Sequence, residues 1–250
     1  MNDLSSLYGD ALLAQLADNP SSRELAFRLR YQVYCKERGF EPDDRFPHGL
    51  ERDEHDDRAL HILVRNRDCG APLGVSRVVL DDPDGQACLP VETHGCAAVT
   101  ERLARLRAME NVQVAEISRF AVTRNLRDVT RLQQGVGSAH VSMGVVAMIF
   151  AQSWCHGVTH WIGLLDASLP RFLRRLGISC QAFGSVIEFR GKRQPVMADL
   201  RDVWQGVARR NPELTRLAES FAGEGPLPIH QPAATAAVTA QVPAARVGLA

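Results

Sequence analysis

The sequence predicts a single domain of the α/β or α+β class built on a mixed sheet. Three observations predict it. β-branched runs alternate with amphipathic stretches through the second half of the chain, a hairpin signal precedes them, and the composition is that of an ordinary globular protein. Hydrophobic residues make up 45% and charged residues 23% of 250 residues, enough chain for one well-buried core. Twenty-nine Lys and Arg balance 29 Asp and Glu. No global field therefore points to nucleic acid or an anionic membrane, and an electrostatic partner would have to be met by a local patch. The domain is expected over residues 1–222, followed by a flexible Ala/Pro-rich tail over 223–250.

The first twenty residues carry acids where an export signal carries a basic region, and nowhere do about 18 apolar residues run uninterrupted. Neither export nor a membrane span is expected. Six scattered cysteines without a C-x-x-C pair fit reduced thiols in a cytoplasmic protein. Ser21, with Glu24 three residues later, reads as a capping box, and Leu25, Leu29 and Val33 continue at helical spacing towards a stop near Gly39. "EPDDRFPHGLERDEHDDRA" is a long loop, the kind that in compact domains usually serves function or is disordered. "LHILVRN" and "PLGVSRVVLD", separated by "RDCGA", form a hairpin. A helix is expected over 99–109 and a strand over 114–122, followed by a long helix over 136–157 ending at Gly157. After it come a buried strand over 158–165, a helix stopped by Gly177 and a further strand over 178–189. No internal repeat is present.

The strand "VAEISRFAV" is apolar except for Glu116 and Arg119. Residues an odd number apart face opposite sides of a sheet, so without a bulge these two cannot share a face. Arg77 lies in the neighbouring strand. Unpaired buried charge is costly, which leaves two readings open: a structural Arg–Glu pair at a sheet edge, or a sheet face lining a cleft.

In order along the chain stand Arg30, Tyr34 and Phe40 in "RYQVYCKERGF", Asp53 and Asp56 in "DEHD", Arg77 in "GVSR", and Glu116 and Arg119 in "EISRF". This ordered set resembles the acyl-homoserine-lactone synthase family and its relatives, the N-acyl amino acid synthases and the acyltransferases associated with PEP-CTERM/exosortase systems. The resemblance covers residues 22–190 or so. Phe40 stands where the lactone enzymes usually carry Trp, and Tyr34 where they usually carry Phe; "YQVYCKERGFE" looks closer to the other two branches, which points away from S-adenosylmethionine as the amine donor. The resemblance implies the GNAT-like acyl-CoA N-acyltransferase fold, with a mixed, mostly antiparallel central sheet flanked by helices.

Read beside that fold, "QGVGSA" (Gln134, Gly135, Gly137) matches Q-x-x-G-x-A at the head of the long helix, where glycines and a helix N-terminus can meet a pyrophosphate. The implied reaction is acyl transfer from a thioester, on acyl carrier protein or coenzyme A, to a small-molecule amine, with no tightly bound cofactor and no metal. Glu116 is the candidate base, since an apolar cleft can raise a carboxyl towards the operating pH. Backbone N–H groups at a strand bulge could hold the oxyanion. Arg30, Asp53, Asp56, Arg77 and Arg119 would order the amine site. Glu51, Glu54 and Asp57 read as a solvated loop face, and aromatics placed like Tyr34 and Phe40 more often belong to a core than to a site. Arg124, Arg127, Arg131, Arg171, Arg174 and Arg175 supply positive charge for an acidic carrier protein or remain a solvated face. The rival readings are a lactone synthase using S-adenosylmethionine and a non-catalytic acyl-group sensor.

Overall fold

The computed structural model describes residues 4–82, 87–124, 136–166 and 169–223. A short helix α1 (Leu4–Asp10) leads into β1 (Leu12–Leu16), and α2 (Pro20–Tyr31) follows. The capping box of α2 starts at Asn19, not Ser21: the Asn19 side chain accepts from the Ser22 N–H at 3.0 Å, and the Ser22 hydroxyl accepts from the Asn19 N–H at 3.4 Å. Glu24 instead pairs with Arg28 one turn on, at 2.6 Å. Beyond Tyr31 the helix widens into a π-helical turn over Gln32–Glu37, and it ends before Gly39, whose φ of 63° only glycine adopts freely.

Then come the acidic loop with its 3-10 turns, β2 (Ala59–Asn66), β3 (Pro72–Leu80), α3 (Pro90–His94), α4 (Ala97–Arg107), β4 (Val114–Val122) and the long α5 (Ser138–Cys155). The chain closes with β5 (His160–Asp166), α6 (Leu169–Leu176), β6 (Gln181–Ala182), β7 (Ile187–Glu188), β8 (Lys192–Asp199), α7 (Leu200–Arg210) and α8 (Pro212–Ala222). Two expectations change. Residues 178–189 are not one strand; Gly184, at φ 63°, breaks them into the two-residue strands β6 and β7. The strand that both of them pair with is β8, which sequence patterning did not reveal. The proposed tail from 224 onward lies outside the described residues.

The sheet runs β1-β2-β3-β4-β5-β8-β6, with β7 also on β8. Every pairing is antiparallel except β4 with β5, so the mixed, mostly antiparallel sheet holds. β4 and β5 pair only at Val114–His160, Ala115–Trp161 and Glu116–Ile162, and beyond those three positions they separate.

On one face α5 and α8 cover Ile62, Val64, Val78, Ala115 and Trp161 in a large apolar core with Phe150, Trp154 and Trp204. α5 approaches β3 closely: a Cβ on Gly74 would stand 2.6 Å from Val141. The opposite face carries two smaller apolar patches. α2 covers Leu63, Val75 and Ala121, and α3 and α4 cover Val79, Val114 and Ile162. Between them lie His61, Arg77 and Glu116, all buried. Among the described residues no helix is long and apolar enough to cross a membrane.

Candidate active site

A β-bulge resolves the parity problem of β4. Val75 pairs with Ala121 but Arg77 pairs with Ser118, so two steps on β3 oppose three on β4. The extra residue is accommodated at Arg119, whose φ of 55° lies in the left-handed region that costs a non-glycine residue. Glu116 and Ser118 keep their phase on the α2 side, and the bulge turns Arg119 to the same side. Its guanidinium reaches Glu51 from Nε at 3.0 Å and Asp53 from Nη2 at 2.8 Å. The bulge is pinned through its carbonyls: Ser76 Oγ donates to Ser118 O at 3.0 Å, and the Tyr34 hydroxyl donates to Phe120 O at 3.2 Å.

Three arginines and three acids interlock here. Arg30, wholly buried, donates to Glu51 at 2.5 Å and forks onto both Asp56 oxygens at 2.7 and 3.0 Å. Arg77 donates to Ser118 Oγ at 3.0 Å, Asp53 at 2.5 Å and Asp56 at 2.7 Å. Burial by itself would raise the Asp53 and Asp56 carboxyls, but the hydrogen bonds and charges of Arg77, with Arg119 beside Asp53 and Arg30 beside Asp56, outweigh it and hold both below the ordinary carboxylate range. Buried pairs of this quality lose much stability if one partner is removed, and they are weak evidence that stability is what they are for.

Glu116 differs from these acids. It is buried at the sheet surface and accepts a hydrogen bond from the Val91 N–H at 2.6 Å. Burial raises its carboxyl to about 7, against the opposing pull of that N–H and of the Arg77 and Arg119 charges. A carboxyl so placed exchanges a proton near neutrality.

Glu116, Arg77, Asp53, Arg119, Tyr34 and Phe40 line one cavity of about 1280 Å³. Where β4 and β5 separate, the cavity passes through the sheet and continues between Val146 and Ile149 of α5, Trp161, Phe172, Leu173 and Ile178. One end is thus ionic and the other apolar. Tyr34 and Phe40 pack ring to ring at 6.2 Å, and Arg193 lies over Phe40 at 5.3 Å. Gly137 caps α5 and lines the same cavity, and a Cβ there would meet nothing within 4 Å. Its N–H already donates to His140 Nδ1 at 3.1 Å. Gln134 and Gly135 lie outside the described residues, as do Arg127 and Arg131.

Every described residue that the ordered motif singled out belongs to this network or its cavity wall; Arg30 and Asp56 do so from behind Arg77, Asp53 and Glu51. One correction stands: Glu51, expected on a solvated loop face, is 1% exposed and bridges Arg30 and Arg119. Five acids within seven residues disguised it, because periodicity carries no signal in a loop. Glu54 and Asp57 are exposed as expected.

Residues 29–134 match the family model described as an acetyltransferase (GNAT) domain. Among solved structures, FeeM, an N-acyl amino acid synthase from uncultured soil microbes, aligns with a TM-score of 0.57 at 17% identity over 78% of this chain and 93% of its own. The acyl-homoserine-lactone synthase LasI aligns at 0.57 and 16% identity over 77% and 91% of the two chains. BjaI, a CoA-dependent acyl-homoserine lactone synthase solved with SAM and isopentyl-CoA, aligns at 0.53 and 18% over 86% and 90%. At such identities the likeness is one of fold. No curated protein sequence matches the chain.

Proposed function

We propose that this chain, an acyltransferase of the GNAT fold, moves a fatty acyl group from a carrier-protein or coenzyme A thioester to the amine of an amino acid or similar small molecule. The observation that carries the reading is the placing of Glu116: a buried carboxyl raised to about 7 on the wall of a cavity that is ionic at one end and apolar at the other. The apolar end between α5 and α6 suits an acyl chain, and the ionic end suits a charged acceptor. Ionised Glu116 takes the proton of the amine, whose lone pair attacks the thioester carbonyl carbon. The C–N bond forms, the C–S bond breaks, and the thiolate leaves readily because a thiol, with a pKa of about 8.5, is a far stronger acid than an alcohol. Backbone N–H groups of the bulge at 118–121, on the cavity wall, are candidates to receive the oxyanion. Arg77 and Arg119 hold the acidic loop against the sheet, and Arg30, Tyr34, Phe40, Asp53 and Asp56 shape the acceptor side. Gly137, with Gln134 and Gly135, is assigned to the donor's phosphopantetheine end, where Arg124 adds positive charge.

A second reading uses the same pocket with S-adenosylmethionine as the amine, its sulfonium facing the Asp53 and Glu54 carboxylates on the wall. One assay separates the two. The protein is incubated with long-chain acyl thioesters of coenzyme A and of carrier protein, together with amino acids or S-adenosylmethionine, and the products are weighed by mass spectrometry. N-acyl amino acid with released thiol supports the first reading, and acyl-homoserine lactone with methylthioadenosine the second. Absence of both sinks both.

A further inference from the structure

We infer that the hairpin formed by β7 and β8 is a latch across the ionic end of the cavity, fastened by Arg190 on Glu41 and by Phe189 on His94, which opens to admit the acceptor and closes to keep water from the thioester. The inference goes beyond the reading above and rests on it only for what passes the latch.

The hairpin ties together the two flanks of the ionic face. One flank is the segment that leaves α2, where Phe40, Glu41 and Arg45 line the cavity; the other is α3, where Pro90 and His94 do. From the hairpin, Phe189, Arg190 and Arg193 line the same cavity. Arg190 pairs with the buried Glu41 carboxylate, which Arg45 also approaches at 3.3 Å. Phe189 stacks on the His94 ring at 4.0 Å, with the planes 17° apart. Arg193 lies over Phe40, and Arg190 over Phe189 at 4.6 Å. With these contacts made, Glu116 on the cavity wall is 3% exposed. A bulky acceptor needs a wall to move before it can reach that carboxyl.

The hairpin is built to move. No residue from 181 to 194 is buried, and β7 adds only two pairs to β8, Ile187–Arg193 and Glu188–Lys192. A segment so lightly held opens at low cost. Its root is firm: the Phe183 N–H donates to Pro195 O at 3.0 Å, and Gln194 Nε2 donates to Phe183 O at 2.9 Å. Gly184, at φ 63°, follows the root and supplies the pivot. The tip, by contrast, is strained. Arg190 stands at φ 52°, a cost to a non-glycine residue that persists only where the surroundings impose it and that gathers at clamps and switches. Arg193 imposes it, donating from Nη2 to Arg190 O at 2.8 Å and from Nε to Phe189 O at 3.2 Å. Burial of the Arg190 guanidinium, with the like charges of Arg30 and Arg193, works against its ionised form, and a buried ion pair gains little once desolvation is counted. A strained tip on a nearly balanced pair is a fastening that can let go.

Hydrogen exchange on the full chain reads the latch without any substrate. Arg190→Ala removes the fastening and keeps the cost of the left-handed turn; it should speed exchange of the amides of 185–194 by about tenfold or more, the usual worth of a hydrogen bond to a charged group. Phe189→Ala removes the ring stack and should speed the same amides by about fivefold. The amides of β2 to β5 should keep their wild-type rates in both. Unchanged hairpin exchange overturns the latch and leaves acyl transfer untouched. Faster exchange through the whole sheet assigns the two side chains to general stability and overturns it as well. Turnover then reads what the latch is for. With long-chain acyl-CoA and amino acids, wild type should release one thiol for each amide made. Arg190→Ala should release several times more thiol than amide, because water bonds the exposed carbonyl carbon, the C–S bond breaks, and fatty acid leaves beside the thiol. Matched release in a variant whose hairpin has loosened overturns the exclusion of water. A wild type that transfers to no amine overturns the proposed function and the passage of an acceptor, while hairpin exchange still decides whether the fastening exists.

Discussion

The two faces of the sheet are held by opposite means. Against α5 and α8 the strands present mainly apolar side chains, and Phe150, Trp154, Trp161 and Trp204 interlock at ring distances of 4.2 to 5.5 Å. Against α2 and the acidic loop the same strands present Arg77, His61 and Glu116, closed over by Arg30, Glu51 and Asp56. Apolar packing stabilises by removing surface from water, whereas a buried ionic lattice spends most of its Coulombic gain on desolvation. A chain that builds the second kind on a sheet able to carry the first kind is holding charges in fixed positions for use, and the difference between the faces marks the site before any ligand is considered.

Four substitutions and a pH titration break or sharpen that contrast. The largest effect is expected from Glu116→Gln, which keeps the shape of the side chain and removes the base: acyl transfer should fall by about 10²- to 10⁴-fold while the fold is retained. A variant that still binds acyl thioester, from a wild type that never turns over, would favour the sensor reading. Next come single truncations on each face. Phe150→Ala should cost about 3–5 kcal/mol of stability, read from urea titration, with activity per folded molecule retained. Arg30→Met takes one of its two arginine partners from each of the buried acids Glu51 and Asp56 and should cost up to about 3–5 kcal/mol, with activity lost as well. If both leave activity alike, the ionic face is merely structural.

The third is pH. Glu116 has a raised folded pKa, so its contribution is fully present below its ordinary value of 4.5 and is lost as pH rises towards about 7, a decline on the order of 3 kcal/mol. Asp53 and Asp56 are depressed, so their contribution is present above the ordinary carboxylate range and lost as pH falls through their lower folded values. Urea midpoints measured from pH 3 to 8 should show both limbs, and Glu116→Gln should flatten only the upper one. Acyl transfer should rise with pH through an apparent pKa near 7. The smallest effect belongs to Tyr34→Phe, which removes the hydroxyl donated to Phe120 O at the bulge and should cost about 1 kcal/mol.

The ordered set of charged and aromatic residues was legible without coordinates because spacing survives folding: Arg30, Asp53, Asp56, Arg77 and Arg119 do converge on one network, and Glu116 shares its cavity wall. The parity conflict between Glu116 and Arg119 was legible too, as a demand for a bulge, but its place was not. Left-handed backbone is usually announced by glycine, and here it falls on an arginine. Glu51 was missed because loop residues are positioned by partners distant in sequence; its hydrogen bonds go to Arg30 and Arg119. β8 escaped because Pro195 sits in mid-strand, where proline normally argues against a strand. β1 was lost in a short N-terminal segment whose only pairing partner, β2, lies some fifty residues on.

The meeting of β4 with β5 extends for only three pairs, and Glu116 against Ile162 is the last of them. The acid therefore stands at the open end of a seam, the first position to fray when the two halves of the sheet breathe apart. Water entering there would restore the acidity of an ordinary glutamate, so the strength of the base is tied to closure of the seam. Whatever fills the gap between these strands also sets the chemistry of the residue at its tip.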